Sequence, residues 1–219
     1  MLDDLFAKLF PRPAANPPGP VEYIVAGLGN PGREYEDTRH NAGYLAVEAL
    51  ADMLGVKITR LRFKSLCAEC LVAGKKALLL KPATFMNLSG QAVTEALAFY
   101  KLPPERLIVI CDDIALSQGT VRVRKGGSDG GQKGLKNIIY LLGSDNFPRI
   151  RVGIGPKAHP DMDLVDWVIG RFSQEESERL KPALNAAARA AELIAAGNIN
   201  EAMNRFNRKS IEQKNEDGV

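Results

Sequence analysis

The chain has 219 residues, 45% of them hydrophobic, enough for one α/β domain with a full core. No apolar run reaches the ~20 residues of a membrane-spanning helix, and three cysteines, an odd number, suit reduced thiols in a cytoplasmic setting better than a disulfide framework. A net charge of +3 is too small to demand a nucleic-acid partner, so such a partner must be argued from where the basic residues cluster.

Residues 1–20 stand apart. Leu2, Leu5, Phe6, Leu9 and Phe10 fall at helical spacing, and Pro11, Pro13, Pro17, Pro18 and Pro20 follow, a pattern for a short amphipathic helix on a semi-rigid linker. Asp3 and Asp4 stand where a signal peptide would carry positive charge, which favours an appended segment over a targeting signal. The main domain is bounded at 21–207, with a C-terminal tail over 208–219.

Within that domain strands alternate with helices, the pattern of a single-domain three-layer α/β/α sandwich with a mixed, mostly parallel twisted sheet. Tyr23 to Leu28 predicts a buried strand, and His40 to Leu54 a helix with Ala46, Val47, Leu50, Met53 and Leu54 inward. Val56 to Phe63, Leu66 to Ala73 and Lys76 to Leu80 predict strands, the last two joined by a hairpin at Gly74. Leu88 to Tyr100 predicts a helix, Leu107 to Cys111 a strand, Arg122 to Lys125 a short strand, Lys133 to Leu142 a helix and Arg149 to Ile154 a strand. Ser173 opens the last helical region through a capping box with Glu176, and Pro182 is expected to kink or split it.

Asn30, Asn87 and Asp112 each follow a predicted strand. If those strands are parallel, their carboxyl ends share the rim where open α/β sheets place ligands. His40, at the start of the next helix, reaches the same rim. An imidazole oriented by a carboxylate can deprotonate water, and amides can hold that water or a carbonyl oxygen on which charge develops. Water attacking an ester fits all four roles. No Gly-x-Ser-x-Gly elbow and no cysteine next to a histidine suggests a covalent route.

Three rival motifs are incomplete. Gly27-x-Gly29-x-x-Gly32 fits the dinucleotide fingerprint, but the helix begins near His40 and Thr59 and Arg60 stand where an acid should end the next strand. Cys67 and Cys70 are three apart in a strand, so they point to opposite faces, and no second pair completes a zinc site. Asp112 and Asp113 diverge for the same reason, which leaves Asp113 to cap or to face solvent. His159 reads as a surface residue, Trp167 as a packing one. No metal and no cofactor is expected.

Three motifs in order, Gly27-Leu28-Gly29-Asn30-Pro31-Gly32, Thr38-Arg39-His40-Asn41-Ala42-Gly43 and Thr84-Phe85-Met86-Asn87-Leu88-Ser89-Gly90, resemble those of bacterial peptidyl-tRNA hydrolases, with similarity from about Val21 to Asn207. The resemblance implies a cytoplasmic, monomeric carboxylic ester hydrolase that cuts the ester between a peptide and the terminal ribose of tRNA and recycles tRNA from abandoned translation. It implies His40 as base, Asp112 as its partner, Asn30 and Asn87 as substrate-holding amides, and Tyr35 and Met86 at the cleft. It also implies Arg124 and Arg151 as a clamp on the tRNA end phosphate.

The stretch Thr120 to Lys136 agrees with an RNA substrate: Arg122, Arg124, Lys125, Lys133 and Lys136 face a single acid, Asp129, along a glycine-rich loop expected to be flexible. There the family commonly shows His-Asn, whereas this chain has Gln132-Lys133, so the usual amide is missing. Lys133 is the expected substrate-binding replacement, with Gln132 the other candidate. A second departure is Ala115, where some relatives carry another acid. The competing reading is a non-catalytic RNA-binding protein of the same fold, which would keep the basic face without needing His40.

Overall fold

A computed structural model describes residues 17–207. The amphipathic segment read over residues 2–10 and the tail at 208–219 lie outside the described residues. In chain order the elements are β1 (Tyr23–Gly27), α1 (Ala42–Met53), β2 (Arg60–Arg62), β3 (Ser65–Val72), β4 (Lys75–Pro82), α2 (Ser89–Tyr100) and β5 (Leu107–Asp113), then β6 (Val121–Arg124), α3 (Lys133–Leu142), β7 (Arg149–Gly153), α4 (Leu164–Ile169), α5 (Gln174–Ala195) and α6 (Ile199–Phe206).

Seven strands form one sheet in the order β2-β3-β4-β1-β5-β7-β6. β4, β1, β5 and β7 are parallel neighbours, while β2, β3 and β6 add antiparallel pairs at the two edges. The parallel strands therefore end on a common rim, as their hydrophobic runs predict. Side chains alternate across the sheet. Tyr23, Val25, Leu79, Ile110 and Val152 face α1 and α5, where Val47, Leu50 and the alanines 187, 188, 190 and 191 pack. Ile24, Ala26, Leu80 and Val109 face α2 and α3, meeting Val93, Leu97, Leu135 and Ile138. Small alanines let the long α5 lie close to the sheet. Truncating a fully buried Leu50 or Ile110 to alanine costs about 2–5 kcal/mol.

Two glycines set where α1 meets β1. A Cβ on Gly27 would run into the Gly43 carbonyl, and one on Gly43 would strike the backbone of Leu28 and Ile110. The first glycine of the fingerprint-like run thus serves helix–strand packing. Tyr44 strengthens the seat, its amide donating to the Leu28 carbonyl at 3.2 Å and its hydroxyl to that of Pro82.

Four expectations need correction. Met53, expected to face inward, is 41% exposed at the last position of α1. The alternating run from Val56 to Phe63 forms a strand only at Arg60–Arg62, because Val56 instead closes α1 through a bond from its amide to Ala51 O at 3.0 Å. Pro182 does not split α5 into two elements: the helix runs through it for 22 residues, and the chain breaks instead at Gly197, φ 88°. Pro182 and the Glu178 carbonyl it leaves without a donor belong to exposed residues, where water can serve that carbonyl. The glycine-rich loop is not free: buried Arg149, 2% exposed, donates to the carbonyls of Gly127, Ser128 and Asp145.

At the sheet's outer edge Asn207 binds β6 as a strand would. Its Oδ1 accepts from the Val123 amide at 2.7 Å and its Nδ2 donates to the Val123 carbonyl at 3.0 Å.

Candidate active site

His40 lies in a short 3-10 turn, Arg39–Asn41, that leads directly into α1. That turn is bolted down by its neighbours. Arg39 Nη2 donates to both Glu176 carboxylate oxygens at 2.8 and 2.9 Å, Nη1 donates to the Arg171 carbonyl at 3.0 Å, and the guanidinium stacks on the Trp167 ring 3.8 Å away. Burial opposes the charged form of Glu176, but the Ser173 amide and the Arg39 guanidinium outweigh it and hold its carboxyl below the usual range. On the other side of His40, Asn41 brackets the backbone of Asn30: its Oδ1 accepts from Asn30 N at 2.7 Å and its Nδ2 donates to Asn30 O at 3.0 Å.

The imidazole meets its expected partner, with His40 Nδ1 2.8 Å from Asp112 Oδ2. His40 is 9% exposed and Asp112 3%. A carboxylate can only accept, so Nδ1 carries the hydrogen and Nε2 presents its lone pair. Asn30 is held in turn: its Oδ1 accepts from the Met86 amide at 2.7 Å, while its Nδ2 has no protein partner among the described residues.

These groups line one cleft of ≈ 450 Å³, together with Asn87, Lys133 and Arg151. The rim of parallel strand ends assembles Asn30, His40, Met86, Asn87, Asp112, Lys133 and Arg151 as expected. Two expected site residues lie elsewhere. Tyr35 stands behind the lining, edge-on to Phe85 with ring centres 6.4 Å apart. Arg124, exposed at the end of β6, lies outside the cleft lining. It shares a sheet face with Arg151, because β6 and β7 put Arg122 opposite Arg151 and Arg124 opposite Arg149.

Asp113 takes the first of its two expected places, as a cap. It is buried rather than facing solvent, caps the turn by accepting from Ala115 N at 2.9 Å, and lies 3.2 Å from Arg151 Nε. The two adjacent carboxylates thus serve different partners, and among the described residues no three His, Cys, Asp or Glu side chains gather as a metal set. Cys67 and Cys70 belong to opposite core faces, as strand alternation requires, and burial pushes the Cys70 thiol up to about 12.

Gln132, the other candidate for the missing amide, lines the cleft with its side chain already engaged inside the protein. Its Oε1 caps α3 by accepting from Leu135 N at 2.8 Å, and its Nε2 donates to Asp112 Oδ1 at 3.0 Å. Lys133, the first residue of α3, remains at the cleft with its side chain exposed.

Sequence reasoning missed one wall. Leu164, Val165, Val168 and Ile169 of α4, with Phe85 and Ile114, make the cleft largely apolar. The only signal was the local spacing of four aliphatic residues behind Asp163, which caps α4 by accepting from Val165 N at 2.6 Å.

The Peptidyl-tRNA hydrolase family model matches residues 24–214. A peptidyl-tRNA hydrolase from Caldanaerobacter subterraneus subsp. tengcongensis is 52% identical over 185 residues, covering 84% of this chain and 99% of that protein. One from Carboxydothermus hydrogenoformans is 50% identical over 186 residues, covering 85% and 98%. The crystal structure of peptidyl-tRNA hydrolase from Acinetobacter baumannii superposes with a TM-score of 0.80 at 33% identity, covering 88% of this chain and 99% of that one.

Proposed function

This chain belongs to the peptidyl-tRNA hydrolase family, and on that premise we propose that its cleft hydrolyses the ester joining a peptide to the terminal ribose of tRNA, with His40 as general base. The observation that carries the assignment is the buried His40–Asp112 pair, 2.8 Å long, whose free Nε2 belongs to a cleft-lining ring. Nε2 takes a proton from water, and the resulting hydroxide adds to the ester carbonyl carbon. Asp112 stabilises the imidazolium so formed. Asn30 Nδ2 and the Asn87 amide donate to the oxygen on which negative charge develops. The imidazolium then returns its proton to the ribose oxygen as the carbon–oxygen bond breaks, giving a free peptide carboxyl group and intact tRNA.

The apolar wall receives the peptide, and the basic edge formed by Arg151 and Arg124 takes the phosphates of the tRNA end, with Lys133 at the cleft mouth. The anchoring of Asn30 by Asn41 and the Met86 amide, and of His40 by Asp112, favours catalysis over the RNA-binding alternative, for which such anchoring has no purpose. The protein acts in the cytoplasm, in keeping with three buried, unpaired cysteines, and as a monomer, which light scattering giving the mass of one chain would support and a dimer mass would refute. The functional test is release of an N-acetylated amino acid from charged tRNA at substoichiometric protein. Binding of the tRNA without release would instead establish the non-catalytic reading.

A further inference from the structure

Asp112 has two oxygens, and His40 uses one. The other is held by Gln132, a side chain that the mechanism above leaves without a role. Gln132 is buried and bonded at both ends. Its amide orientation is fixed by chemistry, since the Leu135 N–H needs an acceptor and the Asp112 carboxylate needs a donor, and only one arrangement of oxygen and nitrogen supplies both. Nε2 also lies 3.1 Å from Met86 Sδ, so the amide is wedged between the catalytic acid and the cleft-lining methionine.

We propose that Gln132 is a positioning residue for the reaction, acting through Asp112. Its N–H prevents the carboxylate from rotating and so keeps Oδ2 aimed at His40 Nδ1. It also takes up part of the carboxylate's charge through a hydrogen bond. Because the same side chain caps α3, it joins the catalytic acid to the helix whose first residue, Lys133, stands at the cleft. The charged groups around this link are His40 and Asp112 themselves, the Asp113–Arg151 pair on the adjoining strands, and Lys133 on α3. Behind Asp112, burial holds the Cys111 thiol neutral. An amide does not titrate, so the clamp keeps its donor at every working pH.

The inference rests on His40 and Asp112 being the catalytic pair, and the test separates the two claims. Gln132→Glu keeps the length and still accepts from Leu135 N–H, yet when ionised it cannot donate to Asp112. Gln132→Asn keeps a good helix cap but is one methylene too short to reach. With N-acetylated aminoacyl-tRNA as substrate, kcat should fall at least ~10-fold in Gln132→Glu and less in Gln132→Asn, with KM within about twofold, as expected when a transition-state interaction is lost. In both, the acid limb of the kcat/KM profile should move to higher pH, because more negative charge beside His40 favours the imidazolium. Wild-type kcat and an unmoved limb in either folded variant would overturn the proposal. So would a fall in kcat with an unmoved limb, which is what a displaced helix alone gives. An inactive wild-type protein would instead overturn the assignment of function.

Discussion

The two walls of the cleft are made by opposite means. On the polar wall three of the side chains that do chemistry are tied to main chain or to another buried group, Asn30 by Asn41 and Met86, His40 by Asp112, and Asp112 by Gln132, while Asn87 stands exposed. On the apolar wall α4 is a six-residue helix that exposes Leu164, Val165 and Ile169, the second by 46%. One wall has a fixed geometry, which a proton transfer needs. The other offers non-directional contact, which suits substrates differing in side chain. Substitutions on the first should therefore change kcat, and on the second KM.

The largest effect belongs to the base. His40→Ala should lower kcat by at least ~100-fold in the N-acetylated aminoacyl-tRNA assay, the lower range for loss of a general base, while a filter-binding assay shows tRNA still bound. Retained turnover would break the contrast between the walls at its strongest point. On the apolar wall, Val168→Asp should raise KM about tenfold with kcat within about threefold, because the charge must be desolvated beside the substrate. A matching fall in kcat would mean that α4 takes part in the chemistry.

Arg124 tests reach beyond the cleft. Arg124→Ala should raise KM a few-fold at ~0.15 M salt and reduce the slope of log affinity against log salt by about one, the signature of one lost phosphate contact. An unchanged slope would detach Arg124 from the tRNA.

Glu176 sharpens the comparison through stability, since it anchors the turn that carries His40. Its carboxyl is held below the ordinary Glu value of ~4.3, so its contribution is present above that pH and lost as pH falls through the lower folded value. Glu176→Gln should lower Tm by about 3–6 °C at pH 7, from roughly 1.5 kcal/mol at 2–4 °C per kcal/mol. The gap should close as melts are taken below about pH 4, and a gap that widens there would reverse the sign. The smallest effect is expected from removing residues 1–16, which should leave kcat and KM within about twofold if that segment is an appendage.

Much of the polar wall was legible in the sequence because three of its members sit at or beyond the ends of hydrophobic strands, and parallel strands bring such positions together whatever the distance along the chain. The burial of the strand from Tyr23 followed from its unbroken hydrophobic run. What stayed hidden depended on packing between distant elements. Gln132 and Asp112 are twenty residues apart, and nothing local tells that one amide caps a helix and clamps a carboxylate together. The cap made by Asp113 was foreseen but its ion pair was not, because alternation gives its face but not Arg151, which arrives there from β7. Helix α4 is shorter than the window in which helical periodicity can be recognised. The period-two run from Val56 gave the opposite error, since an alternating pattern suits either a strand or a segment tucked beneath a helix end.

Asn207 carries a consequence of a different kind. An unfinished sheet margin is a template onto which another polypeptide can graft itself, the first step toward fibrils. By occupying both backbone groups of Val123, this single amide blocks the template where β6 would otherwise offer it, and the final described residue thereby guards the molecule against sticking to its own kind.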